Sequence, residues 1–338
     1  MARKIVTIQM QKTGNFRHDL VVLLNETYVK KMKIPIRELI SLRFGAYRTE
    51  VKVLPVKSIK GMRISEKVAE CLSIKKGISL GLNYKPDTKT LSLGPLVGIL
   101  MSRVYSSNAE RPFGNMTAFC REISVACREY GAFAYFFTPD DIGDSAESLK
   151  GWRLENGIWR QSSFPAPDVI YNRLTSRKLE NKPRVQHFIK EVKSRYHANV
   201  FNEKYLDKTE VFEALAKDSA LKSFLPESHV LKNFQTLKSM CGKHRIVFLK
   251  PNTGSLGKGI IRVTRTPDGY ECHITTLNGM VKRRFPRLTR LFPSISGKIK
   301  RNRYQIQQGL NLISVDGRPV DFRALVQKNG KGKWSVTN

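Results

Sequence analysis

The sequence predicts a protein of mixed α+β and α/β class, and three features along its 338 residues lead to this prediction. Residues 1–95 consist of short runs in which apolar and polar residues alternate, as half-buried strands require. Residues 96–200 show an apolar strand, an amphipathic helix and another apolar strand. Residues 201–338 contain several strands around a glycine-rich loop. We therefore expect three domains with these bounds.

The N-terminal, β-rich domain contains a faint internal repeat. The stretch ETYVKKMKI before LISLRFG resembles SEKVAECLSI before GISLGLN further along the chain. In each copy a short helical segment ends on an apolar pair, Met32 and Ile34 in the first and Leu72 and Ile74 in the second. Two such copies predict a small barrel built by duplication, of the double-psi kind. A chance likeness between two short pieces is the alternative explanation.

The middle domain is predicted to be a small α/β domain with an open parallel sheet. Residues 96–101 form one apolar strand, and GAFAYFFTP forms the next. The short strand PDVIYNR should add another edge, after a loop that contains ENGIWRQ, and a second amphipathic helix should follow it. Between the first two strands, six residues recur at helical spacing and should face the core. They are Met116, Phe119, Cys120, Ile123, Cys127 and Tyr130.

The C-terminal domain is predicted to combine one helix with a mainly antiparallel sheet. A capping box from Asp207 to Glu210 opens the helix, and Phe212 is among the apolar residues that should point inward. The strands are RIVFLKP, GIIRVTRT, YECHITT, RYQIQQGLNLI, DFRALVQ and KWSVTN. Residues 281–304 contain two prolines and no clean periodicity, so an irregular or partly helical excursion is expected there.

The formal net charge of +32 is the strongest compositional feature. It predicts attraction to polyanions such as nucleic acid, anionic lipid or acidic polymers. A solvated lysine-rich surface explains the charge equally well. Residues 281–304 are the densest part, with nine basic residues, no acid and three aromatic rings. No recognised nucleic-acid reader motif accompanies them, so nucleic acid is not the expected partner.

Features that report on the cellular compartment agree with one another. No apolar run is long enough to span a bilayer, and the first residues lack the apolar core of a signal peptide. The five cysteines are scattered and form no CxxC pair, and the histidines show no metal-ligand spacing. The sequence therefore predicts a cytoplasmic protein with reduced thiols, no transmembrane segment and no zinc.

The stretch LKPNTGSLGKGI resembles a phosphate-binding loop in composition. A Walker A loop needs a lysine after its last glycine and a helix beyond, but Ile260 follows Gly259 and leads into a strand. A dinucleotide GxGxxG motif fails for the same reason. What remains is a hairpin whose glycines let backbone N–H groups approach an anion. An ordinary hairpin tip is the alternative. The residues of the loop are Gly254, Ser255, Gly257, Lys258 and Gly259.

The order of the sequence blocks resembles the ATP-grasp superfamily, and in particular its YheC/YheD family of endospore coat-associated proteins. The blocks are DK at the head of a helix, LPES, VFLKPNTGSLGKGIIRV, QIQQGLNLI and DFRALVQ, with GPLVGIL and PDVIYNRL upstream. The resemblance implies an ATP-grasp fold, incomplete in its C-terminal lobe, that clamps ATP between two lobes. It also implies ATP- and Mg²⁺-dependent ligation of a carboxylate to an amine or similar nucleophile, and spore-coat association in a sporulating cell.

The same resemblance implies roles for individual residues. Lys208 and Lys250 would face the phosphates, and the glycine loop would cover the triphosphate. Residues 307–310 would form the hinge between the lobes, whose backbone contacts the adenine. Arg323, in a DxR strand, would stabilise a phosphate or an acyl phosphate. The alternatives are surface lysines, an ordinary strand with paired glutamines, and a structural salt bridge between Asp321 and Arg323. The full set is Lys208, Lys250, Gly254, Ser255, Gly257, Lys258, Gly259, Gln307, Gln308, Gly309, Leu310, Asp321 and Arg323.

The metal ligands that the resemblance implies are missing from the sequence. Mg²⁺ binds carboxylate or amide oxygens, but the acids from residue 271 onward are Glu271, Asp316 and Asp321. We therefore expect a C-terminally truncated enzyme with little or no ligase turnover by itself. The alternative is a family member without catalysis that has a structural or polyanion-binding role among spore coat proteins. No motif identifies the carboxylate or amine substrate.

Overall fold

The computed structural model describes residues 4–11, 20–252, 257–276 and 279–337. It divides into two compact units, Met1–Tyr205 and Leu206–Asn338. The finer boundary at residue 95 stays a prediction. No helix in the described part of the chain is both long and apolar enough to cross a membrane.

The N-terminal strands close into a seven-stranded barrel in the order β1-β5-β2-β4-β3-β7-β6. Two short helices follow the corresponding strands β2 and β5, and each is N-capped by the last strand residue, Asn25 or Ser65. A duplicated origin stays a prediction. The bounds are β1 Lys4–Gln11, β2 Val21–Asn25, α1 Glu26–Met32, β3 Leu39–Phe44, β4 Tyr47–Val56, β5 Met62–Ser65, α2 Glu66–Cys71, β6 Ser79–Lys85 and β7 Thr90–Leu93.

The next strands form an open six-stranded sheet in the order β11-β10-β9-β8-β12-β13. Strands β9, β8, β12 and β13 are parallel, as the strand–helix–strand pattern predicts, whereas β10 and β11 form an antiparallel hairpin. The bounds are β8 Leu96–Leu100, α3 Thr117–Glu129, β9 Phe133–Phe137, β10 Ser148–Glu155, β11 Ile158–Pro165, β12 Val169–Asn172, α4 Arg177–Glu180, α5 Pro183–Arg195 and β13 Asn199–Phe201.

Three predictions for this part of the chain, two on the sheet and one on helix α3, were wrong. The segment ENGIWRQ contains the end of β10, the turn and the start of β11, and this hairpin supplies one edge of the sheet. Strand β12 is internal, because β8 pairs with it on one side and β13 on the other. Tyr130 caps the end of α3 and is 76% exposed, so it does not continue the buried face.

The barrel and the open sheet share one hydrophobic core. A single cluster of buried side chains contains Phe44 of the barrel and Phe164 of the sheet. Asp168 also links the two parts, because its carboxylate accepts hydrogen bonds from the Arg43 guanidinium and from the Leu96 N–H. The backbones touch as well, since Gly81 donates to the carbonyl oxygen of Gly131 at 2.6 Å.

The C-terminal unit is built on a six-stranded antiparallel sheet in the order β14-β19-β15-β16-β17-β18. Helices α8 and α9 cover one face, and Leu237, Leu291 and Ile295 are buried there. The bounds are α6 Lys208–Ala216, α7 Ser219–Lys222, β14 Ser228–Val230, α8 Phe234–Lys243, β15 Ile246–Pro251, β16 Ile261–Thr266, β17 Gly269–Thr276, β18 Gly279–Phe285, α9 Leu288–Arg301, β19 Tyr304–Gln308, β20 Ser314–Val315, β21 Arg318–Pro319, β22 Leu325–Lys328 and β23 Trp334–Thr337.

The C-terminal unit corrects the sequence interpretation at three places. Residues 281–304 are partly helical, as one of the two alternatives predicted, but the part before helix α9 is strand β18 and not irregular. The blocks DFRALVQ and KWSVTN do not extend the main sheet, because β22 and β23 pair only with each other. Asp207 does cap α6, but Phe212 is only half-buried.

Candidate functional site

The C-terminal sheet has one face covered by helices and one face that carries the candidate site. Along β19, Tyr304 and Ile306 belong to the hydrophobic core. Successive side chains of a strand point to opposite faces, so Gln305 and Gln307 lie on the other face. Lys250 pairs in register with Gln305 and therefore shares that face. The sheet thus places a lysine next to two buried glutamines.

Lys250 is held by an amide and not by a carboxylate. Its Nζ donates to Oε1 of Gln307 at 2.5 Å, and Nε2 of Gln307 donates to Oγ of Ser228 at 3.0 Å. The ammonium also lies 5.7 Å from the ring centroid of Phe248. Among the described residues, no carboxylate forms an ion pair with Lys250. Its positive charge is therefore fixed in place but not neutralised by this part of the chain.

A second lysine, Lys208, adds to the positive electrostatic potential around Lys250. Burial lowers the pKa of Lys250, and the charge of Lys208 lowers this pKa further. Lys208 is anchored at the start of α6, where its Nζ donates to the carbonyl oxygen of Pro251 at 2.8 Å. Two ammonium groups that repel each other become more stable when an anion lies between them. An anion next to both ammonium groups would therefore reduce their mutual repulsion.

Two buried amide oxygens lie beside the lysines. Oε1 of Gln305 and Oδ1 of Asn252 have no hydrogen-bond partner within the described ranges, although both residues are more than nine-tenths buried. The side-chain amide of Asn252 donates to Oγ1 of Thr209 at 2.8 Å, which fixes the start of α6 against the end of β15. Gln305 also lines a cavity of about 410 Å³ beneath α6. A buried acceptor without a donor is costly, so these oxygens favour a ligand that supplies donors.

The glycine loop connects β15 to β16 as a hairpin, as predicted. Gly257 and Gly259 have φ angles of 72° and 74°, which glycine adopts without strain. The Tyr304 hydroxyl donates to the carbonyl oxygen of Gly259 at 2.9 Å and fixes this end of the loop to β19. Burial raises the pKa of this hydroxyl. Lys258 is exposed. The predicted loop residues Gly254 and Ser255 lie outside the described residues.

The predicted hinge follows β19. Gly309 donates to the carbonyl oxygen of Ile246 at 2.8 Å, and a Cβ at position 309 would lie 2.7 Å from the Ile246 side chain. Gln308 donates from its backbone to the carbonyl oxygen of Glu227 at 2.8 Å, and its side-chain oxygen accepts from the Glu227 N–H at 3.2 Å. Leu310 is 52% exposed. Residues 308–309 are thus fixed to their neighbours through their backbones.

Asp321 and Arg323 do not lie in a strand, contrary to the sequence interpretation. Strand β22 begins only at Leu325, and both residues are exposed in the preceding segment. The structure gives them no hydrogen bond or ion pair within the described ranges. Their roles in the site stay predictions.

Sequence reasoning missed several residues of this site. Gln305 and Asn252 were not predicted, and Gln307 was assigned to the hinge although its side chain holds Lys250. The available signal was the pattern YQIQQ, in which two glutamines alternate with core residues of one strand. Strand alternation puts such glutamines on a single face of the sheet. Buried polar side chains normally form hydrogen bonds, so this pattern indicates polar partners on that face.

The described residues do not provide a magnesium site. No group of three His, Cys, Asp or Glu side chains is close enough to hold a metal within the described ranges. Glu271 binds Lys282 at 2.7 Å and His273 at 2.6 Å, and these contacts, with that of Lys282 the strongest, lower its pKa to about 2. A carboxylate already shared between cations is a poor metal ligand.

The C-terminal unit thus combines an antiparallel sheet covered on one face with a lysine near the end of one strand and a glycine loop after it. Residues 197–338 match the family model described as YheC/D like ATP-grasp. For this part of the chain, the match confirms the predicted YheC/YheD family and the predicted ATP-grasp α+β fold.

Two curated relatives are named as endospore coat-associated proteins. Endospore coat-associated protein YheD of Bacillus subtilis (strain 168) is 30% identical over 249 residues, which are 73% of this chain and 55% of the relative. Endospore coat-associated protein YheC of the same organism is 22% identical over 220 residues, which are 64% of this chain and 60% of the relative. The chain therefore spans little more than half the length of these relatives.

Solved structures with detectable similarity include two enzymes. D-cycloserine synthetase DcsG matches with 12% identity and a TM-score of 0.33, over 63% of this chain and 59% of that chain. The ATP-grasp ligase PsnB, complexed with a minimal precursor, matches with 10% identity and a TM-score of 0.31, over 71% of this chain and 74% of that chain.

Proposed function

We propose that this protein binds ATP on the open face of its C-terminal sheet. Lys250 and Lys208 would contact the phosphates, and the glycine loop from residue 254 to 259 would cover them. Residues 307–310 would present backbone groups to the adenine. The proposal is carried by one observation: Lys250 is half-buried, lacks a carboxylate partner among the described residues and is repelled by Lys208.

A triphosphate satisfies the charge and the geometry of this site. Its oxygens accept hydrogen bonds from ammonium groups, and its negative charge removes the repulsion between the two lysines. Glycine at position 257 leaves its backbone approachable by a phosphate, because the space where a Cβ would stand is open. The unpartnered oxygens of Gln305 and Asn252 are suited to N–H or O–H donors, such as those of an adenosine.

The reaction class that we propose for the full protein is that of the family, ATP-dependent ligation of a carboxylate to an amine. Bound ATP would supply the phosphoryl group that activates the carboxylate. The residues of this chain would hold and orient the ATP, with Lys250 and Lys208 contacting its phosphates. Arg323 is the proposed stabiliser of the negative charge that develops on the transferred group. The described residues do not fit Mg²⁺, so we assign no step to a metal.

Isothermal titration calorimetry with ATP tests the proposal. Lys250→Ala should weaken binding by about tenfold or more, since one charge-assisted hydrogen bond contributes roughly 1.5–3 kcal/mol. Lys217→Ala removes an exposed lysine at the end of α6 and should leave the affinity unchanged. No ATP binding by the unmodified protein, or equal binding by the two variants, would refute the nucleotide site.

The second candidate is a non-catalytic role in the spore coat. It is favoured by the net charge of +32, by the lack of a metal-binding cluster in the described ranges and by the names of the two curated relatives. We propose coat association on the basis of these names, and fractionation of spores of the source organism would test it. ADP release at ordinary enzyme rates by the purified 338-residue chain would exclude the non-catalytic role.

A further inference from the structure

Strand β18 is an exposed edge of the C-terminal sheet. It is the terminal strand in the sheet order and pairs with β17 along seven residues. Six of its seven residues are exposed, and Phe285 is half-buried. The outer edge of such a strand presents backbone N–H and C=O groups that another extended chain can pair with.

The cations of β18 lie on both faces of the sheet. Lys282 and Arg284 pair in register with His273 and Glu271 and share the open face with them. Arg283 pairs with Cys272, which is buried in the core beneath α9, so Arg283 points to the helix-covered face. An edge strand with positive charge on both sides differs from a basic patch, which lies on one surface.

Negative charge in the neighbourhood does not neutralise these cations. Glu271 contacts Lys282 at 2.7 Å and Arg284 at 3.5 Å, and it also binds His273. Arg283 has no ion pair with any described residue. Glu271 thus supplies one negative charge against the three cations of β18, which leaves an excess of positive charge on this strand and its contacts.

We propose that the outer edge of β18 binds an extended acidic peptide segment by strand addition. In an added strand, successive side chains alternate between the two faces of the sheet, and directly opposed Cβ atoms lie about 4.5–5.5 Å apart. Acidic residues on both faces of the added strand would meet Lys282 and Arg284 on one side and Arg283 on the other. The backbone of the edge supplies affinity, and the cations supply the preference for acids.

The same geometry argues against nucleic acid as the partner. A single strand of nucleic acid needs a cationic groove with aromatic platforms on one surface. The three cations of β18 are divided between two faces, and its one aromatic residue, Phe285, packs against the core under α9. The proposal is independent of the ATP site, because peptide binding at this edge requires no nucleotide.

Fluorescence anisotropy of the full 338-residue protein tests the proposal. The probes are a labelled octapeptide rich in Glu, two versions of it N-methylated at alternate residues in opposite phases, and an oligothymidylate of similar length. The unmodified peptide should bind, and at least one N-methylated version should not, because N-methylation removes ladder hydrogen bonds but retains charge. The triple variant Lys282→Ala/Arg283→Ala/Arg284→Ala should bind the peptide about tenfold more weakly.

A matched control removes the same number of charges from α9. Arg290, Lys300 and Arg301 are exposed on this helix, and their triple replacement by Ala should change peptide affinity by less than about threefold. The proposal is overturned if the peptide does not bind, if both N-methylated peptides bind as well as the unmodified one, or if the oligothymidylate binds more tightly and displaces it. In the first case the cations serve only to keep the edge from aggregating. If the β18 triple variant does not fold, Arg283→Ala and the N-methylated peptides decide the question.

Discussion

The side chains of Lys250 and Gln307 are joined by a hydrogen bond of 2.5 Å between the lysine Nζ and the glutamine Oε1. The amide nitrogen of Gln307 donates in turn to Ser228, so the orientation of the amide is fixed with its oxygen toward the lysine. A neutral partner positions the ammonium without neutralising it. The hydrogen bond therefore leaves the charge of the ammonium without a counter-ion among the described residues, and an incoming anion could supply one.

Replacing Gln307 with Leu should destabilise the C-terminal unit. The ammonium of Lys250 would lose its acceptor in a half-buried position, at a cost of about 1–3 kcal/mol in the free energy of unfolding. Urea denaturation at neutral pH measures this cost. The double variant Gln307→Leu/Lys250→Met should recover most of it, because two apolar side chains leave no buried charge. A loss that persists in the double variant would show that packing, and not the hydrogen bond, is responsible.

Gly309→Ala should destabilise the protein, because the new methyl group would lie 2.7 Å from the Ile246 side chain and 2.8 Å from its carbonyl oxygen. Overpacking of this kind costs about 1–3 kcal/mol. The matched control is Gly297→Ala in α9, where no neighbour lies within 4 Å. That change should stabilise by up to about 1 kcal/mol, since Ala favours helix over Gly. Thermal melting should show a lower melting temperature for Gly309→Ala and a higher one for Gly297→Ala. Equal shifts in the two variants would contradict the close contact at position 309.

The stability of the hinge region should depend on acid pH through Glu227. Hydrogen bonds from Lys243, His229 and His244 lower the pKa of Glu227 from 4.5 to about 2. A carboxyl whose pKa is lower in the folded state stabilises the fold above its unfolded pKa. This contribution is present above about pH 4.5 and is lost as the pH falls toward 2.

The variant Glu227→Gln isolates that contribution. Its stability should be lower than that of the unmodified protein at neutral pH by on the order of 1 kcal/mol, because the partly solvated carboxylate is screened by water. The difference should shrink as the pH falls below 4.5. Denaturant titrations at several pH values measure it, and a difference that does not change with pH would contradict the assigned role.

A fragment of residues 96–205 should not fold by itself. Without the barrel, Asp168 would lose the guanidinium of Arg43, and the buried side chains of the shared core would be exposed to water. Circular dichroism of the fragment should show no cooperative thermal transition, whereas the unit 1–205 should show one. A fragment with a cooperative transition would support an independent domain boundary at residue 95.

The sequence allowed the central arrangement of the C-terminal unit to be predicted because local signals agreed with the fold. Asp207 caps α6 as its position before the helix indicates. Strands β15 and β16, which flank the glycine loop, pair antiparallel as expected for a hairpin. In these places side-chain periodicity and turn chemistry indicate the same structure.

Other elements could not be predicted because tertiary contacts decide them. Strand β18 contains GMVKRRF, which has no alternation of apolar and polar residues, and it forms only because β17 provides a pairing edge. Helix α9 contains Pro293, which normally breaks a helix, yet Leu288, Leu291 and Ile295 bury one face of it. Lys250 could be predicted as a site residue from its position in a motif. Its contact with Gln307 could not, because that contact depends on the register between β15 and β19.

The contact between Gly81 and Gly131 has a consequence for how this protein could have been assembled. A Cβ at position 81 would lie 2.6 Å from the carbonyl oxygen of Gly94, and one at position 131 would lie 2.7 Å from the Gly81 nitrogen. A contact between bare backbones tolerates no side chain on either surface. Recombination that exchanges the barrel alone would therefore have to retain glycine at both positions.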